Sequence, residues 1–378
     1  MKTYHVIGLM SGSSLDGLDI AYCKFEEEDG NWKFELLKSH CHKYDKKWFL
    51  RLKNLVLQNA VTYLKSDTFF GHYIGEVVND WIQSEGIGSK VDFIVSHGQT
   101  VFHQPDNLMT SQIGDGASIA AKTGLPVITD LRSMDIAYGG QGAPIVPVGE
   151  MKLFPDYKYF INLGGIANIS AHLPDEIVAF DICPCNLILN PVARQNGSDY
   201  DDKGRLASVG TVNESFFNDL NTSWYYTKEY PKTLSGGFVN KVLWPTIKKY
   251  QIPIEDKLRT LVEHIVYQIS NHIKMIETTK NVTFNKDESI LFSGGGTFNT
   301  FLMEKLSEAL PMSVIVPNED VINYKEALII AFLGVLRMRN EVNCLKSVTG
   351  ATQDTVNGSI YFGHKEKQAV SNPDDFFE

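Results

Sequence analysis

Residues 8–21 read GLMSGSSLDGLDIA and bring glycines, hydroxyls and two carboxylates into one short loop. Gly12 and Gly17 stand at the G-x-x-x-x-G interval of a phosphate loop, with Ser13, Ser14, Leu15 and Asp16 between them. Leu18 and Asp19 follow, where a Walker loop needs Lys for the outer phosphates and Ser or Thr for the metal. Successive backbone N–H groups in a glycine turn still form a nest for phosphate oxygens. Asp16 and Asp19 could hold a hydrated Mg²⁺ ion, which takes only one or two carboxylates and keeps several waters. Two more glycine turns occur, Gly164-Gly165 in INLGGIANIS and Gly294-Gly295-Gly296 in SGGGTFN. A second set of polar residues stands at the ends of apolar runs. Asp181, after the apolar EIVAF, could be a general base or a turn cap at a strand end. His97, Gln99 and Thr100 form the polar tip of VDFIVSHGQT. Arg132 offers a planar fork for a carboxylate, or pairs with Asp130 or Asp135. Glu326 opens KEALIIAFLGVLRM, a helix apolar on almost every face, where a first-turn carboxylate is favoured by the helix dipole.

The elements that must position these residues alternate between strand-like and helix-like runs. Residues 4–11 and 18–25 are strand-like, so the first loop joins two strands, whereas the glycines of a P-loop open a helix. Residues 45–88 read as helical, and a buried strand runs from Val91 to Ser96. The Gly- and Pro-rich stretch 123–150 marks a domain boundary. The second half repeats the opening idea at 157–173, as strand, glycine pair and strand. The third turn precedes helical spacing at Phe298, Phe301, Leu302 and Leu306. A chain of 378 residues has room for two or three domains, and the expected division is 1–130 plus 351–378 against 131–350.

Composition excludes several function classes. A net charge of −10 argues against a broad nucleic-acid surface. The first residues carry no secretory signal, and no stretch reaches the ~20 apolar residues of a membrane span. Five cysteines without a C-x-x-C pair imply reduced thiols and a cytoplasmic protein. SDYDDKG at 198–204 starts like a calcium loop, but Gly210 stands where the bidentate glutamate belongs. Asp202 there is expected to be a solvated charge or a helix cap.

Taken in order, GLMSGSSLDGLDIA, SHGQTVFHQP (96–105), QIGDGASIAAKTGLPVITDLR (112–132), GGQGAPIVP (139–147), INLGGIANIS (161–170) and SGGGTFN (293–299) resemble the anhydro-N-acetylmuramic acid kinase family. The resemblance runs from about residue 5 to VTGAT at 348–352. It implies the α/β class and a two-domain actin-like ATPase (ribonuclease H-like) fold, with an ATP and sugar cleft between the domains. It implies ATP and Mg²⁺ as cofactors, a homodimer, and a role in peptidoglycan recycling. The implied reaction opens 1,6-anhydro-N-acetylmuramic acid and phosphorylates O6, giving N-acetylmuramic acid 6-phosphate. Because O6 is locked in an acetal with C1, water must attack C1 as O6 departs with the phosphoryl group, and that water needs a base. Asp181 matches the family's catalytic aspartate, Gly12 to Asp19 its ATP-binding segment, and Arg132 and Glu326 positions near the sugar.

Two departures qualify the resemblance. The family pattern D-T-G-P-G-N is here Asp181-Ile182-Cys183-Pro184-Cys185-Asn186, with Asn190 in place of the acidic residue that follows, and Cys adopts a positive φ only at a cost. PKTLSGGF (231–238) lacks an expected Arg-Glu pair. The alternatives are a non-catalytic sugar- or nucleotide-binding paralogue and a kinase of another amino sugar.

Overall fold

The computed structural model describes residues 2–364 apart from 13, 14, 175, 231 and 235, so Ser13 and Ser14 lie outside the described residues. The strands are β1 (Lys2–Ser11), β2 (Gly17–Glu28), β3 (Asn31–Lys43), β4 (Phe93–Gln104), β5 (Met109–Ile113), β6 (Val127–Thr129), β7 (Tyr159–Leu163), β8 (Ile166–His172), β9 (Ile177–Pro184), β10 (Ser289–Ser293), β11 (Ser313–Ile315) and β12 (Ser359–Tyr361). They form two sheets, ordered β12-β6-β4-β1-β2-β3, with β5 paired to β4, and β11-β10-β7-β8-β9.

Both sheets follow one plan. Three antiparallel strands, β1-β2-β3 or β7-β8-β9, are followed by two strands parallel to the first, β4 and β6 or β10 and β11. Parallel neighbours need crossover connections, and helices supply them: Lys46–Asn54 and Ala60–Glu85 before β4, and a series ending in Ile254–Lys280 before β10. The duplicated order is the plan of the two-domain actin-like ATPase fold.

The chain divides into Met1–Pro155 with Tyr324–Glu378, and Asp156–Asn323. The division falls at 156 and 324 rather than at 131 and 351, and packing explains both shifts. Phe154, just after helix Pro147–Leu153, sets its ring 5.1 Å from that of Phe34 on β3. Helix Glu319–Met338 lies against the first sheet: Phe332 meets Trp32 at 4.9 Å and Phe25 at 5.4 Å between ring centroids. A Cβ on Gly8 of β1 would come 1.9 Å from the Ala327 carbonyl oxygen, so only glycine allows that approach. The second unit has its own core, in which Phe180, Ile188, Leu261, Ile265 and Phe292 are buried.

The helical reading of 45–88 is met by two helices, Lys46–Asn54 and Ala60–Glu85, separated by a 3-10 turn at Leu55–Leu57 and the extended Gln58 and Asn59. Strand β4 is longer than Val91 to Ser96, because β5 pairs with its second half. Asp201, not Asp202, caps the helix that follows: its carboxylate accepts from the Leu206 and Ala207 amides at 2.9 and 3.0 Å. No helix of the described residues is long and apolar enough to cross a membrane.

Candidate active site

The first loop is a hairpin between β1 and β2. Leu15 takes φ +59° and its N–H donates to the Gly12 carbonyl at 3.2 Å. A Cβ on Gly17 would stand 2.7 Å from the His42 carbonyl oxygen, so the loop closes tightly onto β3. Asp16 is exposed beside the loop, while Asp19 sits in β2 opposite Met10 and Cys41. Burial pushes the Asp19 carboxyl up to about 6, and the nearby Asp16 and Glu326 charges add to the rise, against a lowering hydrogen bond with Cys41. Among the described residues no group of three or more His, Cys, Asp or Glu could enclose a metal ion. Two hard carboxylates at a glycine hairpin fit Mg²⁺, which completes its shell with water and other oxygen ligands.

A second cluster in the same unit joins His97, Arg132 and Glu326. His97 Nδ1–H donates to the Gly98 carbonyl at 2.9 Å, which leaves Nε2 to accept from Arg132 Nε and Nη2 at 3.0 and 2.9 Å. Burial and the Arg132 charge pull His97 down to about 3, so it is neutral at pH 7. Arg132 Nη1 donates to the Gly142 carbonyl at 2.5 Å, so two of its five N–H groups have no partner among the described residues. Neither expected pairing forms: Asp130 accepts from the Ser133 amide at 3.1 Å, and Asp135 accepts from the Gly142 amide at 2.8 Å and Thr349 Oγ1 at 2.7 Å.

Glu326 lies inside helix Glu319–Met338 and not in its first turn, where Glu319 and Asp320 stand, so the helix-dipole account fails. Burial raises its carboxyl, opposed by the charges of Lys325 and Arg132. Thr100 Oγ1 accepts from Gln112 Nε2 at 3.3 Å, and Gln99 Oε1 accepts from Ser11 Oγ at 2.6 Å. Beside His97 opens a polar cavity of about 160 Å³, lined by Asp67, Ser96, Gln112, Asp115, Asp130 and Tyr361. The buried Ser96 Oγ finds no partner among the described residues.

In the second unit Asp181 lies within β9, opposite Asn168, rather than beyond the strand end. Its N–H donates to the Lys232 carbonyl at 3.1 Å, its carbonyl accepts the Tyr225 hydroxyl at 2.7 Å, and Oδ2 accepts the Leu234 N–H at 2.7 Å. Burial pushes the carboxyl up to about 6, against the lowering Leu234 bond. Half-buried, oriented and ionised at neutral pH, it has the properties of a general base.

Neither cysteine beside Asp181 takes the left-handed backbone that glycine would permit. Cys185 has φ −119°, and neither Cys183 nor Cys185 is among the residues of positive φ. Both are fully buried and burial raises both thiols, Cys185 to about 12. Cys23 and Cys344 are buried too, only Cys41 is partly exposed, and none of the five forms a disulfide.

The two remaining glycine turns differ in kind. The Gly164 and Gly165 carbonyls accept the amides of Asn186, Cys185 and Leu187, tying this hairpin to the start of helix Asn186–Ala193. Gly294 takes φ +83°, and a Cβ there would meet Asn162 Oδ1 at 2.3 Å. A Cβ on Gly296 would meet Leu163 Cβ at 2.7 Å, but one on Gly295 would have no described neighbour within 4 Å. An open backbone surface between two packed glycines fits a flat group such as a nucleotide base or ribose.

Lys232 and His272, which support the Asp181 surroundings, and the buried Lys325–Glu150 ion pair at 2.7 Å escaped the sequence reading. All are long-range pairs without a local motif.

Residues 4–363 match the family described as anhydro-N-acetylmuramic acid kinase. A protein of that name from Photobacterium profundum is 32% identical, with 96% of this chain and 99% of the relative covered. Another, from Pasteurella multocida, is 33% identical, with 98% and 99% covered. Among solved structures, the activator of the 2-hydroxyisocaproyl-CoA dehydratase from Clostridium difficile with bound ADPNP aligns over 86% of this chain and 92% of its own, at 14% identity and a TM-score of 0.45.

Proposed function

The chain belongs to the anhydro-N-acetylmuramic acid kinase family, and from that premise we propose that it opens 1,6-anhydro-N-acetylmuramic acid and phosphorylates O6 in cell-wall recycling. Asp181 carries the reading. Its Oδ2 is held by the Leu234 N–H, and Oδ1 is left to take a proton from water attacking C1. The C1–O6 bond breaks as O6 receives the phosphoryl group, so substrate, ATP and water become the 6-phosphate and ADP. ATP supplies that phosphoryl group, and Mg²⁺ neutralises charge on it. The Gly12–Asp19 hairpin, Ser13 and Ser14 included, with Gly164, Gly165 and the turn at Gly294 to Gly296, is assigned to the nucleotide, and Asp16 and Asp19 to the metal. His97, Thr100, Arg132 and Glu326 are assigned to the sugar. The two uncommitted N–H groups of Arg132 suit the lactyl carboxylate.

Neither cysteine takes a positive φ, which supports the catalytic reading over a non-catalytic paralogue. The reading also includes a cytoplasmic homodimer, the oligomer to be checked by sedimentation. Turnover with Mg-ATP and the anhydro sugar, followed by ADP release and mass spectrometry, tests the whole. A product heavier by one phosphoryl group and one water supports coupled opening. ADP without that product, or no turnover from folded protein, overturns it.

A further inference from the structure

Lys232 and Leu234 bracket Asp181 through two backbone bonds, one to its N–H and one to its Oδ2. Residues 232–234 belong to no helix or strand, so beyond these two bonds side-chain contacts hold the segment in place. Lys232 is 3% exposed, and its Nζ donates to the Lys228 carbonyl and His272 Nε2, each at 2.8 Å, and to the Tyr225 carbonyl at 3.2 Å. Those bonds use all three ammonium protons. His272 Nδ1–H donates to the Gln268 carbonyl at 2.7 Å, which fixes Nε2 as the acceptor. The rings of Tyr225 and Phe180 lie 4.8 and 5.5 Å from Nζ. Among the described residues its hydrogen-bond partners include no carboxylate. Burying an ammonium this way costs free energy that a Met of similar length would not.

We propose that Lys232 is a positioning residue for the general base: its ammonium pins residues 232–234, so that the Leu234 N–H stays on Asp181 Oδ2 and Oδ1 faces the water. This rests on the reading of Asp181 as the base. Tyr225 serves both ends of the arrangement, since its carbonyl takes the ammonium and its hydroxyl holds the Asp181 carbonyl. The other titratable groups around the pair are Cys183 on β9, Tyr226 of helix Trp224–Thr227, Lys228 just beyond it, and His264 and His272 of the helix packed on β9.

The Leu234 bond favours the ionised carboxylate, so its loss moves the acid limb of activity to higher pH. In full-length Lys232→Met, kcat is expected to fall about tenfold or more at pH 7, with the acid-limb midpoint raised by about one unit and the KM for ATP little changed. His272→Leu, which removes an acceptor, should reproduce the shift, and His272→Gln, which retains one, should reverse most of it. Parental kcat and midpoint in Lys232→Met would overturn the proposal. If that variant folds poorly, equal midpoints in the two His272 variants overturn it instead. Turnover retained by Asp181→Asn would defeat the base reading itself, and this inference with it.

Discussion

Replacing Asp181 by Asn keeps an acceptor for the Leu234 N–H and removes the charge, so chemistry and packing separate. We expect kcat to fall by roughly 10²–10⁴-fold while Mg-ATP still binds, measured by steady-state turnover and calorimetry. In the parent, activity should rise with pH through a midpoint near 6. Stability carries the opposite sign. A carboxyl raised from 3.8 to about 6 by folding contributes stability below its unfolded value, and that contribution is lost as pH rises through 6. Asp181→Asn should therefore gain thermal stability over the parent at pH 8 relative to pH 5; an equal difference at both would remove the raised pKa. Arg132→Lys, which loses the Nε and Nη2 fork on His97, should raise the KM for the sugar and leave that for ATP unchanged. At this scale residue types were legible, but their partners were not. Asp181 was visible as a carboxylate after an apolar run, whereas nothing local told that the strand continues through it or that a lysine 51 positions on anchors its support. The positive φ inferred at the cysteines from the family pattern is absent from the backbone there.

Glycine turns were the most legible elements, because glycine is chosen where the backbone leaves no room or bends the wrong way for a side chain. The structure separates these reasons within one turn. Gly295→Ala, facing open space, should melt like the parent and weaken nucleotide binding. Gly294→Ala, strained at φ +83° and colliding with Asn162, should lose about 1–3 kcal/mol; thermal melts paired with nucleotide titrations distinguish the two. Equal loss of stability in both would refute an exposed role for Gly295. Strand β3 was not legible. Its sequence, NWKFELLKSHCHK, mixes Lys, Glu and His through an edge strand whose register comes from its long antiparallel pairing with β2.

At the scale of the whole chain, repetition was visible as two strand–glycine–strand units, but the point where the chain returns to the first unit was not. Residues from Tyr324 onward belong there because Phe332 and the glycine contact at Ala327 complete its core. A fragment of residues 156–323 should therefore fold alone with a cooperative melt, while residues 1–155 alone should not; circular dichroism of both checks this. The buried cysteines have a consequence for handling. Four of the five thiols are shielded, and the fifth, Cys41, is pushed up to about 12 by burial and its acidic neighbours. The folded chain should be nearly silent towards maleimides and Ellman's reagent. A fluorophore could then be placed on one engineered surface cysteine with the native thiols left as they are, ready for single-molecule work.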